Sequence, residues 1–572
     1  MEPIVEVPAF SFVLGDLHPH VLALPFALLS LGIALVWWLR GRDGQGAISP
    51  DEWDPLSWGG RLRRLLAEVG PLQWLVTAVV LGGLSFLNTW DVLIHLFVVL
   101  GAFLLAGWYR HGWSRSLLIQ TILLAVALVL PAVLLYFPFY LGFRSQAAPP
   151  FLLPMLMRPT RLAHYLVIFG APMLVITLLL ISLAIRQHFR HWQTGLKAAL
   201  ALLAGLFLVM VFLMWIIATS QSGSTQIMSL ANSLGITLAE RSPDQVVAPI
   251  WGAMAVLRLL PAILRVRLLY AALLLFLSAL LMLVVMIAKE GAEPADDSTK
   301  EGPGWVTLPF ALLLILTGLL LTIGPEFVYL RDNFGVRLNT TFKFYYQAWV
   351  MFGIAAVFGL DYLWQLWRAR EARITPILAT AGYTIALLIA LLFPVYAVRS
   401  RSIEYRGPAQ TADGQPAERQ PATLDGLAYL QRYNPSEYEA IMWLREQVAQ
   451  STGDLPVVLE AVGGQYSGYG RISASTGLPT VIGWPGHEWQ WRGSDHPEPG
   501  RRELLVEQIY STPDLDQAAF VLDELGVSYI YVGGLEAQTY DAIGLEKFRD
   551  RLDVAFANDG VTIYRWQSPQ TS

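Results

Sequence analysis

Ten long apolar stretches dominate the first 398 residues of the chain. A helix needs about 20 mostly apolar residues to cross the hydrocarbon core of a bilayer, and a soluble fold has no room to bury ten such segments on every side. The sequence therefore predicts an α-helical polytopic membrane bundle of about ten spans. The predicted spans are residues 21–39, 72–87, 91–109, 117–137, 164–185, 196–218, 268–288, 305–323, 345–366 and 374–397.

The remainder of the chain has a different character. Charged residues make up only 15% of the whole sequence, against about 25% in soluble proteins, and the deficit is concentrated before residue 399. We therefore predict a transmembrane domain over 1–398, a linker rich in proline, alanine and glutamine over 399–424, and a soluble α/β domain over 425–572. The chain has no cysteine, which excludes disulfides, thiol catalysis and Cys-ligated metal sites.

Helices alternate with strands in the predicted soluble domain. Ser436 is the expected N-cap of its first helix, with Glu439 at the capping-box position, and Gly526 is the expected stop of another. This alternation is typical of a small α/β layer. The predicted helices are 436–450 and 514–525, and the predicted strands are 456–461, 528–532 and 561–566.

Arginine and lysine residues concentrate in every second loop between the predicted spans, as with Arg61, Arg63 and Arg64 in the first loop. Basic loops stay in the cytoplasm. We therefore predict a multi-pass protein of the plasma membrane whose soluble domain is extracytoplasmic. The polar segments expected on that same outer side are 8–20, 88–91, 138–163, 219–266 and 324–344.

The first polar motif contains Asp16, His18 and His20, which alternate with Leu17 and Pro19. In an extended segment, the three polar side chains would project from one side. A carboxylate and two imidazoles can bind a divalent metal cation or pair an acid with a base. On this interpretation all three are candidate catalytic and metal-binding residues. The alternative is a polar cap on the helix that follows.

The second motif is the turn from Asn88 to Asp91, flanked by apolar sequence on both sides. An acidic group near membrane depth is costly and is usually functional or paired. His95, four residues after Asp91, is expected on the same helix face. Asn88 and Asp91 are therefore candidate substrate-binding residues, although a tight interfacial turn with Trp90 as an aromatic anchor explains the motif equally well.

The third motif, residues 333–347, leads into a predicted span. Asn339 or Thr340 is the expected N-cap of that helix. Arg337 and Lys343, near a helix N-terminus, can bind a phosphate, which at the outer interface would belong to a lipid. The alternative is an aromatic belt with a snorkelling lysine. The candidate substrate-binding residues are Arg337, Asn339, Lys343, Tyr346 and Gln347.

The fourth motif, residues 483–493, is a glycine-bounded, tryptophan-rich loop in the predicted soluble domain. Aromatic faces beside hydrogen-bonding groups suit sugar rings. The alternative is a loop that packs its tryptophans against the membrane domain. Tyr466, Tyr469 and Arg471 are expected to line the same surface. The candidate substrate-binding residues here are His487, Glu488, Trp491 and Arg492.

Several classes of function lack support in the sequence. It has no P-loop, dinucleotide fingerprint, zinc-protease motif or nucleophile elbow in a suitable context, so no nucleotide is expected. A net charge of −5 without a basic stripe gives no reason to expect nucleic acid. If the protein is an enzyme, its donor substrate is expected to arrive through the membrane or from outside.

Taken together, the motifs resemble a family of bacterial and archaeal membrane proteins known as the Chloroflexota/Archaea YYY membrane protein family, or DUF2298. Members are expected to carry one or more spans before the Asp-Leu-His-Pro-His motif, so a shortened amino terminus is expected here. The resemblance extends over nearly the whole chain. The matching segments are 10–20, 88–91, 337–347, 486–492 and 529–533.

The architecture of this family also looks like that of the GT-C glycosyltransferases, which use sugars linked to polyprenyl phosphate. It implies that Asp16 takes the place of their first-loop catalytic acid, as general base or metal ligand, with the motif histidines positioning or coordinating. It further implies that Arg337 and Lys343 hold the lipid phosphate. The lipid bilayer and a polyprenyl-phosphate sugar are then the expected partners, and a divalent metal cation is the candidate cofactor.

Two other functions fit the same motifs. A transporter or flippase for a lipid-linked or small polar solute predicts charged residues facing the bundle interior throughout its depth, whereas the predicted spans 117–137 and 268–288 contain no charge. A non-catalytic envelope scaffold predicts that the polar motifs are scattered in space. Convergence of the motifs on one cavity would instead favour catalysis.

Overall fold

A computed structural model shows two compact units, the first ending at Tyr396 and the second beginning at Ala397. The last long helix continues to Glu404, so residues 399–404 of the predicted linker are helical. The structure describes residues 11–13, 19–143, 151–156, 158–239, 248–292, 303–331, 336–371, 374–404, 421, 423–493 and 496–568.

The first unit is almost entirely helical. Two short strands, β1 (Leu152–Pro154) and β2 (Val328–Leu330), pair antiparallel. Its helices are α1 (Pro19–Arg42), α2 (Pro50–Trp53), α3 (Trp58–Val69), α4 (Pro71–Leu87), α5 (Asp91–His111), α6 (Arg115–Leu135), α7 (Phe137–Gly142), α8 (Leu162–Arg186), α9 (Trp192–Thr219), α10 (Gln221–Ser233), α11 (Ala248–Leu269), α12 (Ala271–Gly291), α13 (Pro303–Ile323), α14 (Leu338–Arg368) and α15 (Thr375–Glu404).

Within the described residues, nine helices are long and apolar enough to cross a membrane, and the pair α3 and α4, bent by 89°, supplies a tenth if it counts as one span. The prediction of a polytopic bundle of about ten spans is confirmed. The bend has a local cause, because Gly70 has a φ of +88° and Pro71 cannot donate a backbone N–H to the preceding turn.

Close approach between the spans depends on small residues. α13 is the most enclosed of the spans and packs against α14, where Gly318 makes room for the ring of Phe352. α9 meets α12 at Gly195, where an added Cβ would overlap the carbonyl oxygen of Met282. Helices in membranes associate through such close packing, because lipid offers little hydrophobic drive between them.

The second unit contains a four-stranded sheet with strand order β3-β4-β6-β5. β3 and β4 are parallel, and the other two pairs are antiparallel. The strands are β3 (Val457–Leu459), β4 (Val527–Val532), β5 (Asp553–Ala557) and β6 (Thr562–Arg565). The helices are α16 (Ala428–Tyr433), α17 (Pro435–Gln450), α18 (Arg471–Thr476), α19 (Pro485–Arg492), α20 (Glu498–Ser511), α21 (Leu515–Glu524), α22 (Gly534–Thr539) and α23 (Ala542–Arg551).

Both faces of this sheet are covered. Ile530 and Tyr564 belong to one apolar core, whereas Tyr529, Tyr531 and Ile563 belong to another. Successive side chains of a strand point to opposite faces, so the two cores lie on the two sides of the sheet. The helices that flank the strands in sequence supply the covering layers, as an α/β arrangement requires.

Two local predictions for the second unit were wrong. The N-cap of α17 is Asn434, whose side chain accepts a hydrogen bond from the N–H of Glu437, and Ser436 lies inside the helix. Residues 483–493, predicted as a loop, contain the helix α19 between their bounding glycines. The predicted stop of α21 at Gly526 agrees with its φ of +65°, which favours glycine.

Candidate functional site

Polar side chains from three parts of the first unit meet near the start of α5. His20 lies in the first turn of α1, Asn88 in the turn between α4 and α5, and Gln347 in the third turn of α14. Asp91 and His95 are both fully buried on one face of α5, as their spacing predicts. We call these five residues the Asp91 cluster.

The carboxylate of Asp91 is enclosed, and neither of its oxygens accepts a hydrogen bond of normal geometry from the residues that the structure describes. The groups that interact with its charge are the amides of Asn88 and Gln347 and the ammonium of Lys343. Asp91 is the first residue of α5, so the helix dipole also favours its negative charge. A buried carboxylate with open lone pairs can accept hydrogen bonds from a ligand.

Gln347 connects Asp91 with His95. The Nε2–H of His95 donates to Oε1 of Gln347 over 3.2 Å, which leaves the amide nitrogen of Gln347 for Asp91. Nδ1 of His95 is enclosed and has no hydrogen-bond partner in the described part of the chain. The Nε2 nitrogen carries a proton in this arrangement, because the amide oxygen of Gln347 can only accept a hydrogen bond.

His20 joins α1 to the cluster. The amide of Asn88 donates to Nδ1 of His20 over 2.7 Å. The ring of His20 also packs edge-on against Phe342, with centroids 4.6 Å apart, and lies 5.6 Å from Tyr346. The first and third motifs of the sequence therefore meet at one histidine.

Asp16 and His18, predicted with His20 to be catalytic and metal-binding, lie outside the described residues. His20 itself is helical, so the extended alternation predicted for the motif is wrong at that position, because α1 already begins at Pro19. Across the described ranges, no group of three His, Cys, Asp or Glu side chains is arranged to hold a metal ion. The cation set of Asp16, His18 and His20 stays a prediction.

The third motif divides between different faces of α14. Lys343, Tyr346 and Gln347 lie on the face towards the Asp91 cluster, with Nζ of Lys343 at 5.6 Å from the ring centroid of Trp90. Arg337, at the N-cap, instead pairs with Glu326 over 2.7 Å. The two cations that were expected to hold one phosphate therefore have different partners.

The predicted caps of α14 were wrong. The helix begins at Leu338, so the N-cap position falls on Arg337, which makes no side-chain cap bond. The hydroxyl of Thr340 accepts from the backbone N–H of Leu330 in β2 instead. Asn339 is half-buried in the first turn of the helix.

A buried ionic network surrounds Glu326, which none of the sequence motifs predicted. The Glu326 carboxylate accepts from Arg337, from the backbone N–H of Thr160 over 2.9 Å and from the Thr160 hydroxyl over 2.7 Å. Arg267 donates to the backbone carbonyls of Glu326 and Met155, each over 2.8 Å. The available signal was a lone acid and a lone arginine in largely apolar surroundings.

The fourth motif lies in the second unit, on and around α19. The ring of His487 packs 5.0 Å from the ring of Tyr466. Nε of Arg492 donates to Glu488 over 2.8 Å, one helical turn away. Trp491 exposes 72% of its surface, which leaves an aromatic face open.

Arg471 does not line that surface, contrary to the prediction, because it is drawn into the core by two carboxylates. It pairs with Glu437 over 2.7 Å and with Glu536 over 3.1 Å. Burial alone would lower the pKa of Arg471, but the charges of Glu536 and Glu437 and their hydrogen bonds more than offset this and raise it. Glu460 lies beside this group, and burial raises its pKa to about 7.

The long apolar helices, with a buried polar cluster at the ends of three of them, define a polytopic α-helical integral membrane protein. A search of curated proteins found no match. Residues 1–352 match the profile of a family described as uncharacterized membrane protein, DUF2298. The match covers more than half of the chain, so the chain belongs to this family. The resemblance is confirmed over residues 1–352, which contain the motifs at 10–20, 88–91 and 337–347, whereas the segments 486–492 and 529–533 lie outside the match.

Proposed function

We propose that the protein is a transferase that moves a sugar from polyprenyl phosphate to an acceptor hydroxyl at the outer membrane face. The main support is the carboxylate of Asp91, which is fully buried yet accepts no hydrogen bond of normal geometry among the described residues. Burying such a group without donors is costly, so a donor from a ligand accounts for its presence. Sugar hydroxyls are donors of this kind.

The surroundings of Asp91 also suit a phosphosugar. Lys343 places a positive charge beside the cluster, next to the aromatic ring of Trp90. The amides of Asn88 and Gln347 can fix the orientation of sugar hydroxyls. An aromatic face with a few convergent polar groups is the usual composition of a small-molecule site.

In the proposed reaction Asp16 is the general base, as the resemblance to GT-C glycosyltransferases implies. It takes the proton of the acceptor hydroxyl while that oxygen bonds to C1 of the sugar. The bond between C1 and the phosphate oxygen breaks, and polyprenyl phosphate leaves with the electron pair. Lys343 offsets the charge of the leaving phosphate, and Asp91 holds the sugar hydroxyls.

Membrane vesicles supplied with polyprenyl phosphate that carries radiolabelled glucose or mannose test this proposal. Asp91→Asn keeps the side-chain shape but loses the charge and one acceptor, and we expect transfer to fall about tenfold or more. Asp16→Asn is expected to abolish transfer. Asp361→Asn, an exposed carboxylate towards the other end of α14, is the matched control and should transfer at the wild-type rate.

Size-exclusion elution of each variant in detergent separates a lost site from a lost fold. Wild-type transfer no greater than that of Asp16→Asn would contradict the transferase. Movement of the labelled lipid across the vesicle membrane without transfer to an acceptor would favour the transporter instead. A buried carboxylate in a spanning helix is also typical of transport proteins, which makes this second outcome worth measuring.

A further inference from the structure

A second site lies on the other side of α14 from the Asp91 cluster. It is a cavity of about 780 Å³ bordered by α8, α10, α11 and the first turns of α14. Thr341 and Tyr345 line this cavity, whereas Lys343 and Gln347 face the Asp91 cluster. Residues two apart on an α-helix lie about 200° apart around its axis, so the helix backbone separates the two sites.

The cavity carries an excess of positive charge. Its described lining residues include four arginines and no carboxylate. Glu326 neutralises one of them by pairing with Arg337. Arginine forks bind phosphate oxygens well, and an excess of cations concentrates anions. The four are Arg158, Arg161, Arg267 and Arg337.

Three donors on the cavity wall are buried without a hydrogen-bond partner of normal geometry in the ranges that the structure describes. They are Nε of Arg267, the hydroxyl of Thr341 and the hydroxyl of Tyr345, which lies near Thr160. The three residues are only 8%, 1% and 2% exposed. Because buried polar groups are nearly always hydrogen-bonded, and because these donors line one cavity, a single anionic ligand can satisfy them together.

Much of the remaining wall is aliphatic. A free anion would leave these side chains against water, whereas a ligand with a hydrocarbon chain would bury them. The cavity thus offers cations and open donors together with an apolar surface, which matches an amphiphile with an acidic head. The aliphatic residues are Ile168, Leu230, Leu234, Ile263 and Val266.

We propose that this cavity binds a phosphate group carried on an apolar chain, at a site distinct from the Asp91 cluster. Arg267, Thr341 and Tyr345 donate to the phosphate oxygens, and the aliphatic wall holds the chain. The inference goes beyond the proposed transferase, and a binding measurement can succeed or fail whether or not sugar is transferred.

The double variant Thr341→Val/Tyr345→Phe tests the site with little risk to the fold, because the two hydroxyls it removes have no partner of normal geometry among the described residues. We expect the full-length double variant in maltoside detergent to keep the thermal unfolding midpoint of the wild type. Its affinity for dodecyl phosphate, measured by calorimetry, should fall about tenfold or more. The matched control is Ser278→Ala/Tyr531→Phe, which removes two other enclosed hydroxyls without partners and should bind like the wild type.

Inorganic phosphate and a dodecyl trimethylammonium salt are the companion probes. The proposal predicts that dodecyl phosphate binds more tightly than either. Inorganic phosphate that binds as tightly as dodecyl phosphate, with the same loss in the double variant, would overturn the apolar-chain requirement and assign the site to free phosphate. Wild-type affinity in the double variant, or equal binding of the cationic amphiphile, would overturn the anion site itself.

Discussion

Asp91, Glu326 and Glu460 are all almost completely buried, but their carboxylates differ in the partners that they have. The carboxylate of Asp91 has no hydrogen bond of normal geometry to any residue that the structure describes. Glu326 forms an ion pair with Arg337. Glu460 accepts two backbone N–H groups at the start of α18, each over 2.9 Å. The last two arrangements hold segments of the chain together, whereas the first leaves capacity for a ligand.

Glu460 makes the stability of the second unit depend on pH. Burial raises its pKa to about 7 in the folded protein, well above the ordinary value of 4.5. The folded state therefore binds the proton more tightly than the unfolded state. Its stabilising contribution is fully present below pH 4.5 and is lost as the pH rises towards 7, by an amount on the order of 3 kcal/mol.

Hydrogen exchange, corrected for intrinsic rates, measures this pH dependence of stability in peptides that cover β3 and α18 of the full-length protein. We expect weaker protection at pH 8 than at pH 5 in the wild type. Glu460→Gln should show a much smaller difference, and Glu488→Gln, which alters a half-exposed carboxylate, should behave like the wild type. Equal wild-type protection at both pH values would refute the assignment.

At the scale of helices, the close contact between α9 and α12 depends on Gly195, which has no side chain. A Cβ at Gly195 would overlap the carbonyl oxygen of Met282, which cannot move without shifting α12. Gly205, on the same helix, has open space around its position. We expect Gly195→Ala to destabilise the first unit by about 1–3 kcal/mol, because overpacking outweighs the gain in helix propensity.

Thermal unfolding in detergent compares the two glycine variants. Gly205→Ala gains the same helix propensity without a clash, so its midpoint should equal or exceed that of the wild type. A Gly195→Ala variant as stable as Gly205→Ala would show that α9 and α12 are not in close contact.

The helical elements of the membrane bundle could be predicted because length and hydropathy alone identify a span. Strand β5 was missed because its apolar residues include two alanines, which are less common in strands, and because its side chains are exposed or only partly buried. The cap of α17 was misplaced because Asn434 and Ser436 are both good N-caps, and only the structure shows which residue precedes the first helical turn.

The candidate site was predictable only in part. His20, Asn88 and Asp91 could be predicted because they are polar residues within apolar sequence. Their contact with the region of Gln347 depends on the packing of α1, α5 and α14. The partner of Arg337 was not predictable, because its charge is taken up by Glu326 across a tertiary contact. Neighbouring residues of one helix need not serve one ligand.

At the scale of the whole molecule, the absence of cysteine makes the predicted orientation directly measurable. Asp51, in α2, and Asp559, in the turn between β5 and β6, are both exposed. Alternating basic loops predict that they lie on opposite sides of the membrane. In right-side-out vesicles, a membrane-impermeant maleimide should label Asp559→Cys and should label Asp51→Cys only after the vesicles are opened.

Labelling of both cysteines in sealed vesicles would show that the vesicles leak or that the span count between the two positions is wrong. Labelling of Asp51→Cys alone would reverse the predicted orientation. The second result would also move the proposed transfer reaction away from the outer face.

The network around Glu326 limits which substitutions this part of the chain tolerates. Thr160 and Arg337 bind the side chain of this one acid, and Arg267 binds its backbone carbonyl. A single replacement of Glu326 or Arg337 leaves the charge of its partner buried and unpaired, which is costly. A joint replacement of both by apolar residues leaves no such charge. We therefore expect the two positions to change together among relatives, and relatives that replace Glu326 while keeping Arg337 would contradict this.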